Sequence, residues 1–255
     1  MGRDFSREVM PKSFDHSANC SYNSRMRVWN LKAEHPLSFT LAADARLGPT
    51  DYVNDQIWEL TLGNGEPPAL ALQTTFGLRA RSFSMFPRFS EGAVTTYDPA
   101  IFDTPSIIQA FYPNYVRLIF SPFPKMVTTA EYWVPSSQTM AGRFRLENRS
   151  DTIRLVRVEM VANLSPAGQG ERMISQEIDS VTVLTGSTNG LCPVLFLPEG
   201  QVVPAGVFPA LYVDINLAPR ESRTIHWVEA AMPDVGMACG LARSVATHNW
   251  EAERA

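Results

Sequence analysis

Short β-type runs fill the sequence from residue 36 to residue 232, and turns rich in Pro, Gly, Asn and Asp separate them. In one of the clearest runs Val116, Leu118 and Phe120 share one parity, whereas Tyr115 and Arg117 take the other. Such alternation is typical of a β-strand with one buried face. About a dozen runs of this kind, with no helical pattern before residue 234, predict an all-β fold, a large antiparallel supersandwich.

Two of the runs carry irregularities that predict departures from a regular strand. In residues 153–162 the apolar parity changes, because Ile153 and Leu155 share one parity while Val156 takes the other. A one-residue bulge near Leu155 and Val156 would reconcile the two halves of the run. Pro193 lacks an amide donor, so we expect its run to form an edge strand or a bulge.

A single helical pattern closes the sequence. Asp234 is suited to cap it, because its carboxylate can accept from the unpaired amides of the first turn. The apolar stripe continues through Trp250, and neither a glycine cap nor a proline follows before Ala255. We therefore interpret residues 233–255 as a linker helix towards a helical domain of a longer protein, with Trp250 directed towards that domain. We expect the apolar stripe to pack partly on the sandwich, and in the isolated chain we expect the surface around Trp250 to be bare or covered by the partner in a homodimer.

The composition excludes several classes of partner and points to one compartment. The net charge of -4 argues against a nucleic-acid partner, because phosphate binding depends on Lys and Arg. No run of about 18 apolar residues predicts a membrane span, and the N-terminus lacks the apolar core of a secretory signal. The three cysteines are far apart in the sequence, and no two of them have the Cys-x-x-Cys spacing. This pattern is typical of reduced thiols in a cytoplasmic protein.

The residues that usually perform catalysis are scattered. The four histidines, of which His226 alone lies within a clear β run, have no metal-ligand spacing, and no cysteine has a neighbouring histidine. The nucleophile motif Gly-x-Ser-x-Gly does not occur. We therefore expect no metal and no cofactor.

The densest polar and aromatic cluster surrounds Asp51, Asp55 and Trp58, with Glu59 as a third carboxylate. A pair of carboxylates at a set separation is the requirement of glycoside chemistry. Turn chemistry explains most of the cluster without any function, because Asn and Asp favour local bonds between side chain and backbone. Of the two functional interpretations, we favour a contribution to a ligand-binding surface over catalysis.

A second cluster, residues 83–89, places Phe86 and Arg88 in a segment broken by a proline. Aromatic and arginine side chains concentrate at sugar-stacking surfaces and at domain interfaces, but core filling beneath a loop produces the same pattern. With Tyr112, these residues complete the predicted substrate-binding set: Asp51, Asp55, Trp58, Phe86, Arg88 and Tyr112. The pairs Arg79 with Arg81 and Arg143 with Arg145 share parity, which indicates either polar rims or a solvated sheet face.

Parts of the chain resemble the N-terminal supersandwich domain of six-hairpin glycosidases, which comprise glucoamylase-like, glycogen-debranching-like and sugar-phosphorylase-like enzymes. The segments that carry the resemblance are residues 142–151, with an asparagine turn after a strand, residues 217–224, residues 234–255 and residues 51–59. The resemblance covers roughly residues 37–255 and implies a galactose-mutarotase-like sandwich that precedes an (α/α)6 catalytic barrel. The catalytic carboxylates of those enzymes lie in the barrel, so the resemblance assigns no catalytic residue to this chain.

The resulting domain plan has an N-terminal arm at residues 1–35, a supersandwich at 36–232 and the linker helix at 233–255. The leading hypothesis is a non-catalytic domain that shapes or supports the active site of a downstream barrel acting on oligosaccharides. The first alternative is a sugar mutarotase or epimerase, in which His226 would need an acidic partner. The second is a stand-alone carbohydrate-binding module that exposes Trp58, Phe86, Arg88 and Tyr112.

Overall fold

The structure is a computed structural model that describes residues 29–30, 38–43, 56–63, 65–204 and 206–253. Two antiparallel sheets pack face to face, which confirms the all-β supersandwich. The nine-stranded sheet has the order β1 (Trp29–Asn30), β7 (Thr104–Tyr112), β8 (Tyr115–Phe123), β9 (Met126–Ser136), β10 (Thr139–Asn148), β17 (Ser222–Met232), β14 (Cys192–Phe196), β13 (Val181–Thr188), β12 (Gly170–Ile178). The eight-stranded sheet has the order β15 (Gln201–Val202), β16 (Ala210–Leu217), β11 (Arg154–Pro166), β5 (Ala80–Glu91), β4 (Leu70–Thr74), β3 (Ile57–Leu62), β2 (Ser38–Ala42), and β6 (Val94–Thr96) pairs with β5.

The core lies between the sheets and is rich in aromatic side chains. Phe89 makes edge-to-face contacts with Phe120 and Phe144 at centroid distances of 5.7 and 5.9 Å, the geometry that aromatic quadrupoles favour. Trp227 lies across Gly142 on the neighbouring strand, where an added Cβ would come within 2.1 Å of the indole ring. Glycine at position 142 is therefore required for the Trp227 ring to lie flat in the core.

Asn148 joins two of the places where the chain passes between the sheets, the turn from β10 to β11 and the turn from β16 to β17. Its side chain is fully buried, and its Nδ2 donates to the carbonyl oxygens of Thr152, Leu217 and Ala218 at 2.8, 3.1 and 3.0 Å. Its Oδ1 accepts from the backbone N–H of Ser150 at 2.9 Å. The asparagine turn and the segment after residue 217, which carried the sequence resemblance separately, are thus held together by one amide.

Replacing Asn148 should destabilise the whole sandwich. We expect Asn148→Ala to lower the free energy of unfolding by about 3 kcal/mol, because three backbone carbonyls and one backbone amide lose their partner. Asn148→Asp should cost at least as much, since a carboxylate oxygen would face the carbonyls. Urea denaturation measures both, with the exposed Asn216→Ala on β16 as the matched control. A loss below about 1 kcal/mol for both variants would refute this role.

Two local predictions on strands are wrong. The pairing of β11 with β16 and β5 is regular at Leu155 and Val156, and its irregularity lies at Ser165 and Pro166. The parity changes because Ile153, just before the strand, and Leu155 are apolar residues that point to solvent. Their side chains are 65% and 67% exposed, respectively. Pro193 does not mark an edge either, since β14 lies between β17 and β13 and pairs with β17 without a register shift.

The C-terminal segment departs from the single extended helix that the sequence predicts. Asp234 does cap α1 (Val235–Ala246) by accepting from the N–H of Met237 at 2.9 Å. Thr247 ends this helix by donating its N–H and its hydroxyl to the carbonyl of Ser244. A second short helix, α2 (Trp250–Glu253), follows.

The expectation that Trp250 points away from the sandwich is wrong. Its side chain is only 2% exposed, and its ring packs edge-on against Trp133 of β9 at a centroid distance of 5.2 Å. The apolar stripe of α1 packs beside it on Val228 and Ala230 of β17. The stripe therefore covers the outer face of its own nine-stranded sheet.

The interior also contains an acid, Glu229, that has no hydrogen-bond partner among the described residues. Its side chain is fully buried and shares its parity on β17 with the core residues Trp227 and Ala231. Burial raises the pKa of Glu229 well above its ordinary value of 4.5. The folded protein therefore favours the protonated, neutral form of this carboxyl group.

Glu229 should make stability depend on pH. Its pKa is higher in the folded state, so its contribution is fully present below the unfolded pKa and is lost as pH rises towards the folded value. Above about pH 5 we expect Glu229→Gln to become more stable relative to wild type by up to about 1.4 kcal/mol per pH unit. Thermal denaturation between pH 5 and 9 tests this, with the exposed Glu177→Gln as control. Parallel curves for wild type and Glu229→Gln would contradict it.

Candidate functional site

Polar side chains from five strands line up across the outer face of the eight-stranded sheet. Strand alternation sends Leu41, Trp58, Leu72 and Phe83 into the core and their neighbours outward. The register then places the outward residues side by side, and we call them the polar row: Thr40, Glu59, Gln73, Ser84 and Asn163.

The polar row lies in an open groove of about 860 Å³, the sheet groove, which Glu66, Leu78 and Arg81 border. This volume falls within the range of small-molecule sites. The row supplies carboxylate and amide oxygens as acceptors and amide and hydroxyl groups as donors. Alternating donors and acceptors at strand spacing suit a ligand with several hydroxyl groups, so the groove is our candidate functional site.

The structure distributes the predicted site residues differently from the sequence. Trp58 borders the sheet groove, but its side chain is fully buried. Phe86 is 2% exposed and packs against Tyr97 and Phe208. The expectation that these two rings are exposed stacking anchors is wrong, because strand parity directs Trp58 inward and neighbouring aromatics cover Phe86.

Two further predicted residues, Arg88 and Tyr112, lie on different sheets. Arg88 is half-buried and forms an ion pair with Glu159 on the adjacent strand of the eight-stranded sheet. Tyr112 is 61% exposed but belongs to the nine-stranded sheet, beside Tyr115. Asp51 and Asp55 lie outside the described residues. A role for any of these residues in saccharide binding stays a prediction.

The sequence analysis identified only one member of the polar row, Glu59, as a candidate site residue. The signal was the parity of each run, since Glu59 stands between the apolar Trp58 and Leu60, and Ser84 between Phe83 and Met85. Parity identifies an outward residue, whereas the alignment of five such residues depends on strand order and register.

A second polar cluster, centred on Glu131, lies on the outer face of the nine-stranded sheet. The Tyr115 hydroxyl and the guanidinium groups of Arg117 and Arg143 all donate to its carboxylate. Burial would raise the pKa of Glu131, but hydrogen bonds from Arg143, Tyr115 and Arg117 outweigh it and lower the pKa to about 2. Arg143 also stacks over the ring of Trp250 at 5.2 Å. The cluster thus fastens α2 to the sandwich.

His226 neighbours this cluster without forming an acid–base pair with Glu131. Arg143 stands opposite His226 across the β10–β17 ladder. The pKa of His226 is lowered by burial and then by the charge of Arg143, so the ring is neutral at neutral pH. Since Glu131 is held ionised by three donors, it is poorly suited to exchange protons with a sugar in partnership with His226.

The Glu131 cluster should be a measurable source of stability at neutral pH. Its depressed pKa gives a contribution that is present above about pH 4.5 and is lost as pH falls towards 2. We expect Glu131→Gln to lower the free energy of unfolding by about 2 kcal/mol at pH 7 and by much less at pH 3, allowing for solvent screening. Denaturation at both pH values decides the point, with Glu177→Gln on β12 as the exposed control. An equal loss at pH 3 and pH 7 would show that the charge is irrelevant.

Two structural searches complete the description of the site. The described residues contain no group of three or more His, Cys, Asp or Glu side chains placed to hold a metal ion. Neither α1 nor α2 has the length and apolar character that a bilayer-spanning helix needs, and the described ranges contain no other α-helix.

Comparison with known proteins finds similarity in structure only. No protein-family model and no curated protein sequence matches the chain. A bacterial glucoamylase complexed with acarbose superposes with a TM-score of 0.56 at 9% identity, covering 86% of this chain and 39% of that one. A candidate kojibiose phosphorylase from the human microbiome gives a TM-score of 0.48 at 11% identity, covering 85% and 30%. A candidate aldose 1-epimerase from Escherichia coli K12 gives 0.43 at 8% identity, covering 76% and 99%.

The glucoamylase superposition confirms the resemblance to the supersandwich of six-hairpin glycosidases at the level of the fold. At 9% identity the likeness establishes the fold alone. The chain spans 30% and 39% of the lengths of the phosphorylase and the glucoamylase.

Proposed function

We propose that this chain is the β-supersandwich part of a carbohydrate-active enzyme, and that it binds saccharide in the sheet groove without catalysing its conversion. The polar row carries the proposal, because five adjacent strands present hydrogen-bonding side chains in one open groove of about 860 Å³. Hydroxyl groups of a sugar chain need such alternating donors and acceptors. The fold shared with a glucoamylase agrees with this class of ligand.

In this proposal the catalytic residues belong to a downstream (α/α)6 barrel of the same polypeptide, and the sandwich supports that barrel. The limited share of the glucoamylase that the chain covers, 39%, is compatible with a domain of a larger enzyme. The carboxylates of the groove, Glu59 and Glu66, then act as hydrogen-bond acceptors for the ligand.

A saccharide titration tests the proposed groove. We expect oligosaccharides from a glycan array to bind weakly, and the double variant Gln73→Ala with Asn163→Ala to lose about tenfold in affinity, since two hydrogen-bonding amides disappear. Gln176→Ala, an exposed residue of β12 outside the groove, is the matched control. Isothermal titration calorimetry measures the affinities. Absence of binding to every glycan, or equal affinities of the double variant and the wild type, would overturn the groove assignment.

A separate assay distinguishes this proposal from a mutarotase or epimerase. We expect the chain not to accelerate anomer interconversion, because His226 has no free acidic partner beside it among the described residues. Polarimetry of freshly dissolved sugar gives the rate. A clear acceleration that His226→Ala abolishes would replace the non-catalytic proposal with the enzymatic one.

A further inference from the structure

A cleft of about 400 Å³ lies at the C-terminal end of α1, and it shares no lining residue with the sheet groove. The cleft forms because β14 is shorter than β17. Pairing between these strands stops at Phe196 and Val228, so the segment Arg223–His226 of β17 pairs with β10 on one side and lines the cleft instead of a neighbouring strand. We call this space the α1 cleft.

Two arginines from different elements line the α1 cleft, together with one carboxylate, that of Glu199. Arg223 of β17 uses Nη2 to contact Glu199 at 2.9 Å, which leaves the other N–H groups of its guanidinium free of that ion pair. Arg243, in the last turn of α1, lines the cleft and has no carboxylate partner among the described residues. The lining residues therefore carry a surplus of positive charge in a chain whose net charge is -4.

The deeper wall offers a polar atom and an apolar surface. The Nδ1 atom of His226 is buried and has no hydrogen-bond partner among the described residues, and its side chain lines the cleft. Phe196, Val213 and Ile225 supply apolar surface beside it. A cleft of about 400 Å³ that combines polar and charged side chains with an apolar wall has the volume of a small-molecule site.

The helix end does not attract an anion. The C-terminus of an α-helix carries partial negative charge, and here Thr247 offsets part of it by donating to the Ser244 carbonyl. The arginine side chains thus supply the positive field. Each guanidinium is a planar fork that can bind two oxygens of one anion. A phosphoryl group has three terminal oxygens and can serve both forks, whereas a carboxylate has two.

We propose that the α1 cleft binds a phosphate monoester, with Arg243 and Arg223 on the phosphoryl oxygens and the body of the ligand against Phe196. Inorganic phosphate shares the phosphoryl chemistry and is the smallest probe of it. This site is independent of the proposed saccharide groove, because the two have no residue in common.

Calorimetric titration at constant ionic strength with inorganic phosphate, glucose 6-phosphate and glucose tests the proposal. We expect both phosphates to bind and glucose not to bind in the cleft. Arg243→Gln, which keeps most of the side chain but removes its charge, should weaken phosphate binding at least about tenfold. Arg172→Gln on the exposed strand β12 removes the same charge away from the cleft and should leave binding unchanged.

The outcomes separate clearly. Equal affinity for inorganic phosphate and glucose 6-phosphate supports a site for the phosphoryl group alone, and tighter binding of glucose 6-phosphate supports the contact with Phe196. Failure of both phosphates to bind, or equal losses in Arg243→Gln and Arg172→Gln, overturns the proposal. If glucose binds, and if the double variant Gln73→Ala with Asn163→Ala removes this binding while Arg243→Gln does not, the result supports the saccharide groove. If the phosphates fail to bind in the same experiment, the phosphate proposal for the cleft is overturned.

Discussion

The hydrogen bonds of one buried amide tie together two of the turns that connect the sheets, between which the apolar core lies. Asn148 ends β10 in the nine-stranded sheet, and its partners lie in the turn that leads to β11 and in the turn that leaves β16. Both turns carry the chain from one sheet to the other. Fixing their separation fixes how the inner faces meet, and the close packing of Trp227 against Gly142 leaves little tolerance for a shift.

The outer faces of the two sheets have opposite characters. The outer face of the nine-stranded sheet is covered around β17 and β14 by α1, and Trp250 of α2 is held there by Trp133 and Arg143. The eight-stranded sheet leaves the polar row open in its groove. A face that is covered by its own helices contributes to stability, whereas an open polar face is available to a ligand. This contrast is the physical basis for placing saccharide on the eight-stranded sheet.

The local predictions that succeeded depend on neighbouring residues, and those that failed depend on distant ones. The Asp234 cap was predictable because its acceptor and donor are three residues apart. Trp250 was misjudged because its partner, Trp133, is more than a hundred residues away. The prediction that Phe86 is exposed was wrong for the same reason, because the distant Phe208 covers its ring. The prediction of a bulge at Leu155 was wrong, because the chain keeps a regular ladder there and leaves the side chains of Ile153 and Leu155 exposed.

The sequence by itself determined the all-β class, the parity of most strands and the start of the final helix, because alternation, turn residues and caps act over a few residues. It also marked Asn148 and the segment after residue 217 as distinctive turns. Only the tertiary structure decided that these turns share one amide, that five outward side chains form the polar row, and that Arg223 and Arg243 line one cleft. Strand order and register bring these residues together, and both are set by packing between segments far apart in the chain.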